Sequence, residues 1–447
     1  MKITKSKVHF IGVGGIGMSG LAELFRNMGA VVSGSDLNES ATTERLKTLG
    51  VSIFLGHSEK NISGQDVVVY SSAVAQSNPE IVRAKELKIP IIPRAEALAE
   101  VMRLKRGIAL AGTHGKTTTT SMVAAIFLNG KLDPTVVVGG RLDLIKSNSF
   151  LGQGEWLVAE ADESDGSFLK LSPEIIVVTN IDNDHMEHFK TIENLKEAFS
   201  QFASRIPFYG LAVVCGDDQM ARDVFDGFNK RIVFYGFGAK NDYILKGEKS
   251  QYEVHSKGKK LGSFDLNLPG RHNALNALAS IAVGLEAGLS FETCAAGLRL
   301  FHGVDRRFQW KGEVGGVDVF DDYGHHPTEI EAVLQAFKEK FSDRRLVVLF
   351  QPHRYTRTKT CWNQFLGCFS LADKLYVSDI YAAGEAAIPG YEVSRLVKEI
   401  VTPRAEWIGP VSSAVSHIRP ELKSQDVFVT LGAGDVWKVG MGLLNKT

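Results

Sequence analysis

The sequence predicts an α/β protein of three consecutive domains, each built on a parallel sheet, with antiparallel strands added to the central one. Three observations predict it. The chain has 447 residues, which at roughly 150 per domain suggests about three domains. Short apolar runs alternate with helical patterns, a β-α-β rhythm that restarts twice along the chain. Glycine-rich turns follow the first strand of the first two rhythms, as in folds that hold phosphates at a helix N-terminus.

The first domain, residues 1–105, opens with a strand over Val8–Val13 and a helix over Ser19–Met28. Strands over Val31–Ser35 and Asp66–Ser71 follow. Ile89–Pro93 leads through a helix, Arg94–Met102, to the basic stretch Arg103–Arg106, which marks the boundary. Lys2, Lys5 and Lys7 ahead of Val8–Ala22 imitate a signal peptide. The glycines, His9 and the lack of a small-residue cleavage site favour strand, turn and helix instead. The second domain, residues 106–310, has strands over Ile108–Ala111, Trp156–Ala159 and Ile175–Thr179. Between Tyr209 and Leu268, Gly and Asn/Asp turns punctuate short strands, hence the antiparallel addition, and a helix over Ala274–Ala287 closes the domain. The third domain, residues 311–447, starts with a strand over Val317–Phe320. Pro327–Phe341 is a helix with proline in its first turn and Ile330, Val333, Leu334, Phe337 and Phe341 on one face. Strands over Leu346–Phe350, Lys374–Ser378 and Val427–Leu431 complete it.

Composition narrows the function. Lys plus Arg and Asp plus Glu both total 51, so no overall field draws nucleic acid or an anionic membrane. Cys215, Cys294, Cys361 and Cys368 show neither CxxC nor paired zinc spacing, which argues against a zinc site or a disulfide framework and fits a reducing cytoplasm. No apolar run approaches a membrane span.

The chemistry lies at strand ends. Gly12-Val13-Gly14-Gly15-Ile16-Gly17, with Asp36 ending the next strand, suits a nucleotide diphosphate at a helix N-terminus with an acid for a ribose hydroxyl. Taken alone it reads as an NAD site. Gly112-Thr113-His114-Gly115-Lys116-Thr117 is a shortened phosphate loop, with Leu110 where the full Walker pattern has glycine. Lys116 meets the phosphate oxygens there and the Thr117 hydroxyl a Mg²⁺. Thr117–Thr120 opens the helix with β-branched residues that propensity disfavours. Glu160 ends one strand, with Asp162, Glu163 and Asp165 beyond it. Asn180 ends another, with Asp182, Asp184 and His185 beyond. Oxygen ligands and one imidazole suit Mg²⁺ or Mn²⁺ better than zinc, although acids other than Glu160 are equally well placed as solvated loop residues. Asn273 and Asn276, three apart, share a helix face and could read adenine, or Asn273 could be an N-cap. Arg354 and Arg357 follow a strand end and can fork onto a carboxylate, or form a solvated basic turn.

In order, the segments GVGGIGMSG, SGSD, GTHGKTTTT, AEADESDGSF, VTNIDNDHMEHF, GRHNALNAL, HGVDRRFQ, DDYGHHPTE and QPHRYTRT make the chain resemble the Mur ligase family over essentially its whole length. The resemblance implies an N-terminal Rossmann-like domain, a central P-loop ATPase-type α/β domain and a C-terminal Rossmann-like domain. It also reinterprets the first glycine turn: Gly14, Gly15, Gly17, Asp36, Ser71 and Ser72 would hold a UDP-sugar, not NAD. ATP would lie on Gly112, Thr113, His114, Gly115, Lys116, Thr117 and Thr118, with Asn273 and Asn276 at the adenine, Asp322 on the ribose side and Arg306 near the phosphate. Thr117, Glu160 and His185 would hold Mg²⁺, and Lys116, His185 and Arg306 would be catalytic. Tyr323, His325, His353, Arg354 and Arg357 would bind the incoming amino acid. HFIGVGGIGMSG and HRYTRT resemble the branch that joins L-alanine to UDP-N-acetylmuramate, rather than the branch that joins a peptide. ATP would drive the reaction through an acyl phosphate. An NAD-dependent oxidoreductase, the rival from another class, leaves the phosphate loop, the acidic strand ends and the asparagine pair unexplained.

Overall fold

The computed structural model describes residues 3–71, 73–142 and 147–445. It is a mixed α/β structure with three sheets. The first is all parallel, in the order Ser52–Leu55, Val31–Asp36, Lys7–Ile11, Val67–Tyr70, Ile91–Pro93. Its first strand ends at Ile11 rather than Val13, because Gly12 turns the chain at φ +77°. The helix that follows, Ile16–Asn27, buries Met18, Leu21, Ala22 and Phe25, a three/four spacing that forms one face.

The second sheet has ten strands, in the order Lys259–Asp265, Gln251–Ser256, Tyr243–Glu248, Ile232–Gly236, Leu211–Cys215, Ile175–Val178, Arg106–Ala111, Trp156–Glu160, Thr135–Leu142, Ser147–Phe150. Its centre is parallel, whereas Thr135–Leu142 and Ser147–Phe150 pair antiparallel. The strands at the core, such as Ile175–Val178, are buried throughout, which is why they read as unbroken apolar runs. Helix Lys116–Asn129 packs here, with Phe127 edge-on to Trp156. Arg271–Glu286 is a helix that begins three residues before the expected Ala274.

The third sheet has the order Gln309–Val314, Val317–Asp322, Val427–Leu431, Leu346–Phe350, Lys374–Val377, Ala405–Trp407. Only its first pair is antiparallel, joined by Gly315-Gly316, both at positive φ as a tight hairpin requires. Helix Pro327–Lys340 buries Ile330, Val333, Leu334 and Phe337, as its spacing predicts.

The chain forms two compact units. One comprises Met1–Lys246, Tyr252–Asp265 and Leu275–Phe301; the other comprises Gly247–Gln251, Leu266–Ala274 and His302–Thr447. All four cysteines are buried free thiols. Among the described residues no helix is long and apolar enough to cross a membrane.

Candidate active site

Strand Arg106–Ala111 delivers the phosphate loop, and helix Lys116–Asn129 leaves it. Gly112 sits at φ +129° and Gly115 at +85°, conformations that side chains disfavour. Space excludes them too: a Cβ at Gly112 would stand 2.1 Å from Thr179 Oγ1, and one at Gly115 2.8 Å from Asn276 Oδ1. The end of strand Ile175–Val178 clamps the loop. His114 N donates to Asn180 Oδ1 at 2.8 Å, Thr179 Oγ1 donates to His114 O at 2.6 Å, and Asp182 N donates to Thr113 Oγ1 at 2.9 Å. The hydroxyls of this helix start bond back within the helix: Thr119 Oγ1 donates to Gly115 O and Ser121 Oγ to Thr117 O, so neither is left unsatisfied. Thr118 is buried in the same turn.

Lys116 folds back over its own loop. Its Nζ donates to Gly112 O at 2.7 Å, to Thr113 O at 3.2 Å and to Glu163 Oε1 at 2.8 Å. Burial pulls the ammonium pKa down, but Glu163, Asp162 and Glu160 outweigh it and hold it above the ordinary value. Glu160 closes strand Trp156–Glu160 and hydrogen-bonds the Thr117 hydroxyl. Desolvation raises its pKa. His185 adopts a left-handed backbone at φ +60°. Its Nε2 lies 3.5 Å from Glu163 Oε1. Burial pushes the imidazole pKa down, yet Glu163, Glu187 and Asp184 prevail and raise it to about 9. The structure thus brings Lys116, Thr117, Glu160 and His185 together with Glu163, which the sequence left as an acid of undecided role. Asp165 instead caps a local turn at Ser167 N.

This donor set fits a hard divalent cation. Glu160 Oε1 and Glu163 Oε2 are buried without a hydrogen-bond partner, and buried carboxylate oxygens need a cation or a donor.

Asn276 lies against Gly115. The Asn273 side chain donates to Pro269 O at 2.7 Å, so it stitches the helix start to the preceding turn from inside the helix rather than as its N-cap.

At the first glycine turn, Gly14 N donates to Asp36 Oδ2 at 2.9 Å and Asn38 N to Asp36 Oδ1 at 3.2 Å. Asp36 therefore shapes the loop. Ser71 flanks Gly12: a Cβ built there would lie 3.7 Å from Ser71 Cβ. Gly15 N-caps helix Ile16–Asn27, and Gly17 is in its first turn. Ser72 lies outside the described residues.

The second unit assembles the remaining candidates as a row of rings. Tyr323 meets His325 edge-on at 5.4 Å, His325 is 5.7 Å from His353, and Tyr381 stacks on His353 at 5.5 Å. Burial pushes both imidazoles down in pKa, and for His353 the Arg357 and Arg354 guanidinium groups push further, to about 4. Arg354 has φ +68°. Its N donates to Tyr381 O, and Glu385 accepts from Thr356 N at 2.9 Å and Thr356 Oγ1 at 2.8 Å while facing Arg354 Nε at 3.7 Å. Tyr381 and Glu385 were missed by the sequence reading; their position just past strand Lys374–Val377, at a carboxyl edge, was the available signal. Arg306, also at positive φ (+60°), donates to Asp321 and to the carbonyls of Gly432 and Gly434. Asp322 accepts from Phe308 N and Gly324 N, and burial raises its pKa to about 6.

Comparison with known proteins gives the family. The family description "Mur ligase family, catalytic domain" matches residues 7–106, "Mur ligase middle domain" residues 110–284, and "Mur ligase, glutamate ligase domain" residues 306–434. A Bdellovibrio bacteriovorus UDP-N-acetylmuramate–L-alanine ligase is 59% identical over 452 residues, covering 100% of both chains. The Geobacter sp. (strain M21) protein of that name is 52% identical, covering 98% of this chain and 97% of its own. Among solved structures, a UDP-N-acetylmuramate-alanine ligase from Thermotoga maritima superposes with a TM-score of 0.83 at 32% identity, covering 98% of each chain. A murein peptide ligase from Psychrobacter arcticus reaches 0.74 at 25% identity over 98% of each chain. With each of its three sheets matched in order along its length, the chain belongs to the Mur ligase family.

Proposed function

We propose that this chain joins L-alanine to the carboxylate of UDP-N-acetylmuramate, driven by ATP, in the cytoplasmic synthesis of peptidoglycan precursors. The observation that carries this reading is the presence of two separate glycine cradles at helix N-termini in one chain, Gly12–Gly17 and Gly112–Gly115. Two phosphorylated substrates account for both; a hydride-transfer enzyme accounts for one.

The sugar's carboxylate is a poor electrophile, so the γ-phosphoryl group of ATP is transferred to it, giving an acyl phosphate and ADP. The loop amides and Lys116 hold the phosphates and offset the charge that builds on the transferring group. To do so Lys116 exchanges Gly112 O and Thr113 O for phosphate oxygens. Glu160, Thr117 and His185, with Glu163 beside them, would hold Mg²⁺, which supplies charge neutralisation when bound. Asn276, touching the loop, and Asn273 are assigned to the adenine end. Gly14, Gly15, Gly17, Asp36 and Ser71 hold the UDP-sugar. Arg354 and Arg357 fork onto the alanine carboxylate, and His353, kept neutral beside them, leaves the cationic role to the two arginines. Arg306 and Asp322 act by positioning, fixing the segments that carry Tyr323. The neutral alanine amine attacks the acyl carbon, and phosphate leaves.

Phosphate release from ATP tests the reading, with UDP-N-acetylmuramate, L-alanine and a tripeptide supplied singly and in pairs. Release is expected only with the UDP-sugar and alanine together. Release at the same rate without either acceptor would refute coupling, and a preference for the tripeptide would move the chain to the peptide-joining branch.

A further inference from the structure

An acid beside the arginine pair has no role assigned above. Glu385 lies past strand Lys374–Val377, after a turn that Ala383 and Gly384 make at φ +49° and +85°. Glu385 N closes that turn by donating to Ala382 O at 2.9 Å. A negative charge next to a fork meant for a carboxylate repels that carboxylate, so its place there calls for a reason. The reason lies in what its oxygens hold.

Arg354 has φ +68° and ψ 138°, outside the ordinary backbone wells and outside the left-handed one. A residue with a side chain stays in such a conformation only where its surroundings over-determine it. Two braces do so, one on each side of Arg354 along the chain. On the first side His353 pairs with Tyr381 as an isolated parallel bridge. Tyr381 N donates to Pro352 O at 2.8 Å, and Arg354 N to Tyr381 O at 2.9 Å. On the other side Glu385 Oε2 accepts from Thr356 N at 2.9 Å and Oε1 from Thr356 Oγ1 at 2.8 Å. Glu385 Oε1 also stands 3.7 Å from Arg354 Nε. Thr356 lies in the first turn of helix Tyr355–Thr360, where amides lack partners within the helix. The carboxylate thus ties down the start of the short helix that carries Arg357, immediately after the strained Arg354.

We propose that Glu385 is a positioning residue for the incoming amino acid, setting the direction of Arg354 and Arg357 through Thr356 rather than touching the substrate itself. The assignment rests on the function proposed above. A misplacement of about 1 Å in such a clamp costs up to about 10²-fold.

Steady-state phosphate release tests it, with the KM for L-alanine, ATP and UDP-N-acetylmuramate each measured at saturating levels of the other two. Glu385→Ala should raise the KM for alanine about 10- to 100-fold, with kcat and the other two constants within about threefold of the parent. Glu385→Gln should recover most of the loss, since its amide oxygen can accept from Thr356 N and its amide nitrogen can donate to Thr356 Oγ1. Thr356→Val should raise the same constant less. Added to Glu385→Ala it should change nothing further, because the hydroxyl has already lost its acceptor. Partial misfolding lowers kcat through the active fraction and leaves each KM in place, so a kcat loss at unchanged KM for alanine would overturn the assignment. A similar rise in all three constants would also overturn it, as would additive effects of the two substitutions, or a Glu385→Gln no better than Glu385→Ala. With a parent that releases phosphate when alanine and the UDP-sugar are both present, those results remove this assignment alone. A parent that releases none with both removes the function reading and the assignment with it.

Discussion

Replacing Lys116 by methionine separates two consequences of one ion pair. Glu163 is 1% exposed and Lys116 17%, and the 2.8 Å bond between them is the shortest polar contact of the Glu163 carboxylate among the described residues, with His185 Nε2 farther off at 3.5 Å. Removing one partner of a buried pair costs about 3–5 kcal/mol when the other charge is left uncompensated; here His185, 3.5 Å from Glu163, offsets part of that charge. The partial exposure of Lys116 puts the expected loss near the lower end, about 3 kcal/mol. For a domain of this size that corresponds to a drop in Tm of about 6–12 °C. The double variant Lys116→Met/Glu163→Gln should recover most of it, a coupling of about 2–3 kcal/mol. Activity should not follow stability: both variants should lose about 10²–10³-fold or more in kcat, since neither has the ammonium for the phosphoryl group. Thermal melting by circular dichroism and steady-state phosphate release, run on the four proteins of the cycle, measure the two quantities. Additive changes in Tm would refute the argument, as would a single variant that melts within about 2 °C of the parent, a shift worth less than about 1 kcal/mol.

Glu80 is fully buried; desolvation raises its pKa, but His9, Ser35 and Asn61 overcome this and lower it from 4.5 to about 2. Its contribution, about 3 kcal/mol, is complete above pH 4.5 and lost as pH falls toward 2; melting across that range should be flatter with pH in Glu80→Gln than in the parent. Arg354→Lys keeps a charge but loses the fork, so the KM for alanine should rise strongly while those for ATP and the UDP-sugar move little; a uniform change would make Arg354 a support of the fold. Gly112→Ala places a methyl into Thr179 Oγ1 and should weaken ATP by at least about tenfold in equilibrium binding, from backbone strain of about 1–3 kcal/mol, with UDP-sugar affinity unchanged.

Much of this was legible in the sequence because strand runs and glycine turns are local. Leu346–Phe350 and Val427–Leu431 emerge at the boundaries their apolar runs predict, and helix Arg94–Met102 starts and stops where its proline and basic flanks indicate. The antiparallel pair Thr135–Leu142 and Ser147–Phe150 was not legible, since Gly139 and Gly140 interrupt the run and the partner strand is polar. Within the site, residue types gave Glu160 and His185, but whether Glu163 is solvated or paired depends on how the chain turns after Ala161, which no spacing encodes. Asp36 was read as a ribose ligand because it ends a strand at the expected distance; its bonds to Gly14 N and Asn38 N arise from a loop conformation that composition does not specify.

Three proposed active-site or positioning residues, His185, Arg306 and Arg354, hold φ values of +60°, +60° and +68°. Such conformations cost about 1–3 kcal/mol for a side-chain-bearing residue, and glycine would adopt them freely. At each position the chain carries a side chain where its backbone would favour glycine. Glycine there would relax the local backbone while deleting the functional group, so a screen for thermal stability alone would drift toward inactive proteins at these three positions. Efforts to stabilise this ligase for use outside the cell should hold them fixed and look for gains elsewhere, because here robustness and turnover are opposed by the geometry of single residues.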